Sequence, residues 1–106
     1  MPEHKSPLPD VPVRKVSITE RLFEGLTASA DRVVLIDGPS GATFTGAEVA
    51  DRIRRFAGGL RAEGVGPGTV IGILAPNHPD YVTAFHGAAL AGATVTTLNP
   101  TYTAPE

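Results

Sequence analysis

The sequence predicts an α/β fold: a partial, mostly parallel sheet with helices packed on it. Two observations carry that expectation. Apolar residues switch along the chain between a helical period and short continuous runs, in the order strand, helix, strand, helix, strand behind a leading helix. Gly and Pro clusters separate each helix from the next strand, the alternation that yields β-α-β units with right-handed crossovers. The 106 residues suffice for one small domain with a modest core and not for two.

Residues 1–16 are expected to form a disordered Pro-rich arm. Pro2, Pro7, Pro9 and Pro12 stand among charges there, the opposite of the uninterrupted apolar segment a signal peptide requires. Residues 17–106 carry the fold. Ser17 and Glu20 have the spacing of a capping box, so a helix begins there, with Ile18, Leu22 and Leu26 on one apolar face beside Phe23 and an end near residues 28–30. Val33, Val34, Leu35 and Ile36 make a short strand. Asp37, Gly38, Pro39, Ser40 and Gly41 turn the chain, and Thr43, Phe44 and Thr45 return it as the second strand of a hairpin.

Thr45 and Glu48 form a second capping box. Behind it Val49, Ile53, Phe56, Ala57 and Leu60 keep a helical period, with Phe56 and Leu60 expected against the sheet, while Asp51, Arg52, Arg54, Arg55 and Arg61 mark the wet side. Gly64 supplies the left-handed residue that closes this helix, and Gly66, Pro67 and Gly68 keep it from restarting. The run Val70, Ile71, Ile73, Leu74 and Ala75 is nearly continuous in its apolarity, which predicts a parallel strand covered on both faces. After Pro76, Asn77 or His78 caps a helix with Pro79 in its first turn and Tyr81, Val82, Phe85, Ala88 and Ala89 facing inward. Small residues at Gly87, Ala88, Ala91, Gly92 and Ala93 let that helix lie close to the sheet. The last strand, Thr94 to Leu98, carries no charge and ends at Asn99 and Pro100.

Composition excludes several classes of function. A net charge of −2 with 19% charged residues leaves no basic surface for a nucleic-acid backbone. The absence of cysteine removes disulfides, a thiolate nucleophile and any cysteine-based zinc site, and is consistent with a cytoplasmic setting. No stretch approaches the roughly 20 apolar residues that cross a bilayer. The glycine-rich segments do not read as phosphate loops. Gly64, Gly66 and Gly68 follow a helix and precede a strand, the reverse of the dinucleotide fingerprint, and the segment from Asp37 to Thr43 lacks a lysine and leads into a strand. His78, Asp80 and His86 are the one cluster with metal or acid–base character, yet His78 precedes its helix and His86 lies about two turns along it. Capping and partial burial account for the two histidines. Ser17, Ser29 and Ser40 have no histidine and carboxylate at a triad's spacing.

From Thr45 onward the residues resemble the opening of the adenylate-forming ligases. The resemblance is carried by Thr45 with Glu48 and Val49, Gly59-Leu60, Gly64-Val65 with Gly68, Leu74 with Pro76-Asn77 and Pro79, Tyr81-Val82, Ala84-Phe85 with Gly87, Ala91-Gly92-Ala93, Leu98-Asn99-Pro100, and Tyr102-Thr103 with Glu106. Asp31-Arg32 also matches, with Ala30 where the family often has proline. Within the superfamily the pattern is most similar to 4-coumarate-CoA ligases and bacterial fatty-acyl-CoA ligases. The resemblance implies the N-terminal portion of a large adenylation domain, in a parent enzyme that joins a carboxylate to CoA with ATP, releasing AMP and pyrophosphate. It implies ATP, Mg2+ and coenzyme A for that parent, and as partners the rest of the large domain and a C-terminal domain. The phosphate-binding loop, the ribose-holding aspartate and the mobile-domain lysine of the family have no counterpart here. No catalytic, cofactor-binding or metal-binding residue is therefore assigned.

The expectation is a truncated, non-catalytic scaffold segment that self-associates when isolated. The rival is a self-standing α/β interaction module that keeps only this part of the fold, which would need a finished sheet edge. The uncharged strand Thr94 to Leu98 and the unfinished loop after it favour the segment.

Overall fold

The computed structural model describes residues 2–105. Met1 and Glu106, the first residue of the expected arm and the last position of the resemblance, lie outside the described residues. The element order is α1 (Ile18–Ala28), β1 (Val33–Ile36), β2 (Thr43–Thr45), α2 (Gly46–Ala62), β3 (Val70–Leu74), α3 (Pro79–Leu90) and β4 (Thr94–Leu98). Residues 2–17 carry no helix or strand.

Ser17 caps α1 through its hydroxyl, which accepts the Glu20 N–H at 3.0 Å. Only that half of the expected capping box forms among the described residues; the reciprocal bond is found at α2 instead. The buried face of α1 runs through Thr19 and Leu26, with Leu22 and Phe23 half-buried, and Ile18 is 63% exposed. The expected stripe is thus rotated by one residue at its start, because α1 turns its face to α2 and leaves Ile18 toward the arm.

Strands β1 and β2 pair antiparallel, Val33 with Thr45, Leu35 with Phe44 and Ile36 with Thr43, with a bulge between Val33 and Leu35. At the start of α2 both capping-box bonds form: Glu48 N–H to Thr45 Oγ1 at 3.3 Å and Thr45 N–H to Glu48 Oε2 at 2.8 Å. Val49, Ala50, Ile53 and Ala57 are buried, Ile53 at 0% exposure. Gly64, at φ +84°, ends the helical path as its sequence position implied.

Two expectations about coverage fail for one reason. Phe56 is 39% exposed and Leu60 only half-buried, because α2 packs on α3 and α1 and not on the parallel strands. A methyl group at Gly87 of α3 would stand 2.5 Å from Phe56 Cδ1 and 3.3 Å from the Ile53 carbonyl oxygen. The small residue there serves helix–helix approach. Strands β3 and β4 pair parallel from Val70 with Thr94 to Leu74 with Leu98. Among the described residues α3 is the helix packed on them, so of β3 only Ile73 is buried, while Val70 is 63% and Leu74 66% exposed. The strand is covered on one face, not both.

Among the described residues four strands make two separate two-stranded sheets, one antiparallel and one parallel. The principal buried cluster lies between the helices: Leu26, Val49, Ala50 and Ile53, closed over by Phe23, Leu35, Phe44, Val82 and Leu90. Two stacked arginines tie its rim. Arg54 lies over the Phe23 ring at 4.7 Å, and Arg52 lies over Phe44 at 4.4 Å while reaching Asp80 at 2.9 Å.

Candidate functional site

The two glycine-rich loops with the composition of a ligand site bond most of their amides internally. In the β1–β2 turn the Asp37 carboxylate accepts from the Ser40 N–H at 3.2 Å and from the Ser40 hydroxyl. The Asp37 and Gly41 amides are bonded to the Ala42 and Asp37 carbonyls at 2.8 and 2.7 Å. An aspartate occupies the concavity where a phosphate would need a positive potential. In the α2–β3 loop the Gly64 and Val65 amides return to the Arg61 and Leu60 carbonyls at 3.0 Å, and the Gly66 amide donates to Thr69 Oγ1 at 3.2 Å. These segments, as folded, do not offer the row of unengaged amides and the lysine that would hold the phosphates of ATP. Among the described residues no group of three His, Asp or Glu side chains is gathered to hold Mg2+.

The histidine pair is separated by the helix that carries it. His78 is the N-cap of α3, its Nδ1 accepting the Asp80 N–H at 3.1 Å, and the Asp80 carboxylate is held by Arg52. His86, eight residues further and so about 12 Å along the axis, is half-buried with its ring edge-on to Phe85, centroids 5.1 Å apart. Its Nδ1 is buried and makes no hydrogen bond, and burial pulls its pKa below the ordinary value. Of the serines, Ser17 and Ser29 sit at the two caps of α1 and Ser40 closes the hairpin turn.

One juxtaposition was invisible in the sequence. Residues of the arm fold back along α1, where Arg14 grips Glu24 with both terminal nitrogens at 2.6 and 2.8 Å. That contact lowers the Glu24 pKa and raises that of the Arg14 guanidinium from their ordinary values. Between arm, α1 and α3 lies a groove of about 780 Å3 that brings Ser17 and His86, 69 residues apart in the chain, to one space. Nothing in the period or spacing of residues 1–16 signalled the contact.

Residues 22–106 match the family model described as AMP-binding enzyme. The chain is 42% identical over 103 residues to 4-coumarate--CoA ligase 3 of Oryza sativa subsp. japonica, covering 96% of this chain and 19% of that protein. Among solved structures it superposes on the luciferase-like enzyme of the nonluminescent Zophobas morio mealworm with a TM-score of 0.78 and 31% identity, covering 84% of this chain and 21% of that one. It superposes on a benzoate CoA ligase from Burkholderia xenovorans with a TM-score of 0.73 and 30% identity, over 80% and 17%. The chain spans about one fifth of the length of the relatives it matches.

Proposed function

The chain belongs to the AMP-binding enzyme family, and from that premise we propose that it is a scaffold segment of an ATP-dependent, AMP-forming acid–CoA ligase. In the proposed parent a carboxylate attacks ATP to give an acyl-adenylate and pyrophosphate, and the thiol of coenzyme A then displaces AMP. Adenylation turns a poor leaving oxygen into a good one, and Mg2+ offsets phosphate charge as the bonds change. No step is assigned to residues of this chain, whose glycine-rich loops bond most of their amides internally and whose described carboxylates are not gathered for Mg2+. Its contribution is the helical cluster and the two small sheets on which further chain can be laid, the domain portion being assigned to residues 17–106 of the sequence and an appended arm to residues 1–16.

The observation that carries the reading is the extent of the match: 96% of this chain aligns with 19% of a 4-coumarate–CoA ligase. The exposed apolar residues Val70, Leu74 and Leu98 supply a surface for the rest of a large adenylation domain, with its C-terminal domain, as partner. Among the described residues no helix is long and apolar enough to cross a membrane. The cytoplasmic setting proposed for the chain rests on its lack of cysteine.

Calorimetry with magnesium-ATP tests the assignment of roles. The 106-residue chain is expected to show no saturable heat, and single-site binding in the micromolar range would overturn it. Mixing the chain with the separately produced remainder of a 4-coumarate–CoA ligase is expected to give acyl-CoA synthesis that neither piece has. Hydrogen exchange in Val70–Leu74 and Thr94–Leu98 should slow most in the mixture. A cooperatively melting monomer whose exchange is untouched by the added chain would favour the self-standing module.

A further inference from the structure

The groove beneath the arm has the makings of a ligand site that the scaffold role leaves unused. Its walls are apolar along Val11, Pro12 and Val16 of the arm and Leu22 of α1, with Arg21 beside them and His86 on the α3 side. At about 780 Å3 it falls within the range of small-molecule pockets, which are mostly apolar with a few placed polar groups.

The charges around it are unequal. Arg14 engages Glu24 through two contacts at 2.6 and 2.8 Å, whereas Arg21 reaches the same carboxylate once, at 3.4 Å. Two guanidiniums thus share one carboxylate, and the tighter pair leaves Arg21 the less compensated of the two. Glu20 exerts only a weaker pull on Arg14 and is in ion-pair contact with neither arginine. The Arg21 side chain is 63% exposed and borders the groove, so it can turn toward an incoming anion without breaking the Arg14–Glu24 contact.

We propose that the groove binds a small apolar molecule bearing a single carboxylate, with the tail against Val11, Pro12, Val16 and Leu22 and the head on Arg21. One available cation matches one negative charge. A second charge on the ligand would be brought against apolar walls without a partner, and a cationic head would meet the less compensated Arg21 guanidinium. His86 presents a neutral ring to the tail, since the burial that leaves its Nδ1 without a partner also disfavours its protonation. Binding here involves no nucleotide, so the absence of ligase activity would leave it intact.

The test is an amide-resolved NMR titration of the 106-residue chain with octanoate, octanol and octylammonium. Octanoate is expected to shift residues 11–22 and His86 saturably and to bind about tenfold more tightly than octylammonium, the worth of one charge-assisted contact. Arg21→Gln should weaken octanoate by about the same factor and leave octanol unchanged, with Arg21→Lys retaining most of the affinity. Should Arg21→Gln disturb the fold, Val13→Glu carries the same test from an exposed arm position outside the groove's walls, where added negative charge should weaken octanoate and leave octanol unchanged. Equal binding of octanoate and octylammonium, indifference to both variants, or shifts concentrated at Val70, Leu74 and Leu98 would overturn the proposal.

Discussion

Gly46 and Gly58 belong to one helix and are expected to answer an added methyl group with opposite signs. A Cβ on Gly46 would stand 2.5 Å from the Leu26 and Ser29 carbonyl oxygens, which are backbone and cannot swing away, whereas one on Gly58 meets nothing within 4 Å. In urea melts Gly46→Ala should cost about 1–3 kcal/mol through overpacking, and Gly58→Ala should add about 0.5–1 kcal/mol by removing a flexible residue from an exposed helix interior. Two losses of similar size would mean that α1 and α2 do not approach as closely as the structure places them. His86 supplies a pH dependence with a defined sign. Its folded pKa is depressed by burial below the ordinary 6.5, so the unfolded chain binds the proton more readily and stability rises with pH through that window. The melting temperature should therefore fall as the pH is lowered from 7.5 to 5.5, and His86→Leu should reduce that fall. An identical pH profile in the variant would show that the imidazole is hydrated in solution.

Helix boundaries were legible because their causes are local. The Thr45–Glu48 spacing, Pro79 behind His78 and Gly64 past the last apolar residue each specify a backbone hydrogen-bond pattern within one turn, and the structure realises all three. Faces were less legible. The period of α2 marked Val49, Ile53 and Ala57 correctly, but whether Phe56 meets a sheet or a helix depends on what approaches from elsewhere in the chain. The apolar run of β3 was read as burial on both sides, and the described residues provide cover on one. Of the candidate sites, the glycine loops were classified by their sequence order alone, while the groove under the arm depends on an ion pair between residues ten apart with no periodic signal. The cap offers the direct check at this scale: Thr45→Ala should cost about 1 kcal/mol and open the first turn of α2 to hydrogen exchange. If its amides exchange no faster, the hairpin holds that end in place unaided.

The molecule as a whole has a closed helical side and an open strand side. Val70, Leu74 and Leu98 are exposed along β3 and β4, whose residues carry neither charge nor proline. Edges so unprotected invite pairing with other chains. Light scattering is therefore expected to show concentration-dependent association, and Val70→Lys with Leu74→Lys should suppress it while leaving the melting of the helical cluster unchanged. Persistence of the association in the double variant would place the contact elsewhere. The same asymmetry sets a timetable for synthesis. The hydrophobic cluster draws its buried members from Leu26 to Ile53, with Leu35 and Phe44 beside them, so all of these are synthesised before β3, and Val82 and Leu90 of α3 close over them later. The β3–β4 pair instead joins residues 24 apart in register and must wait for the whole of α3 and for Leu98. Contacts between near neighbours form first and crossover pairings last. A nascent chain would thus acquire a docking platform of α1, the hairpin and α2 early, and expose its adhesive strands only when α3 is ready to cover one of their faces.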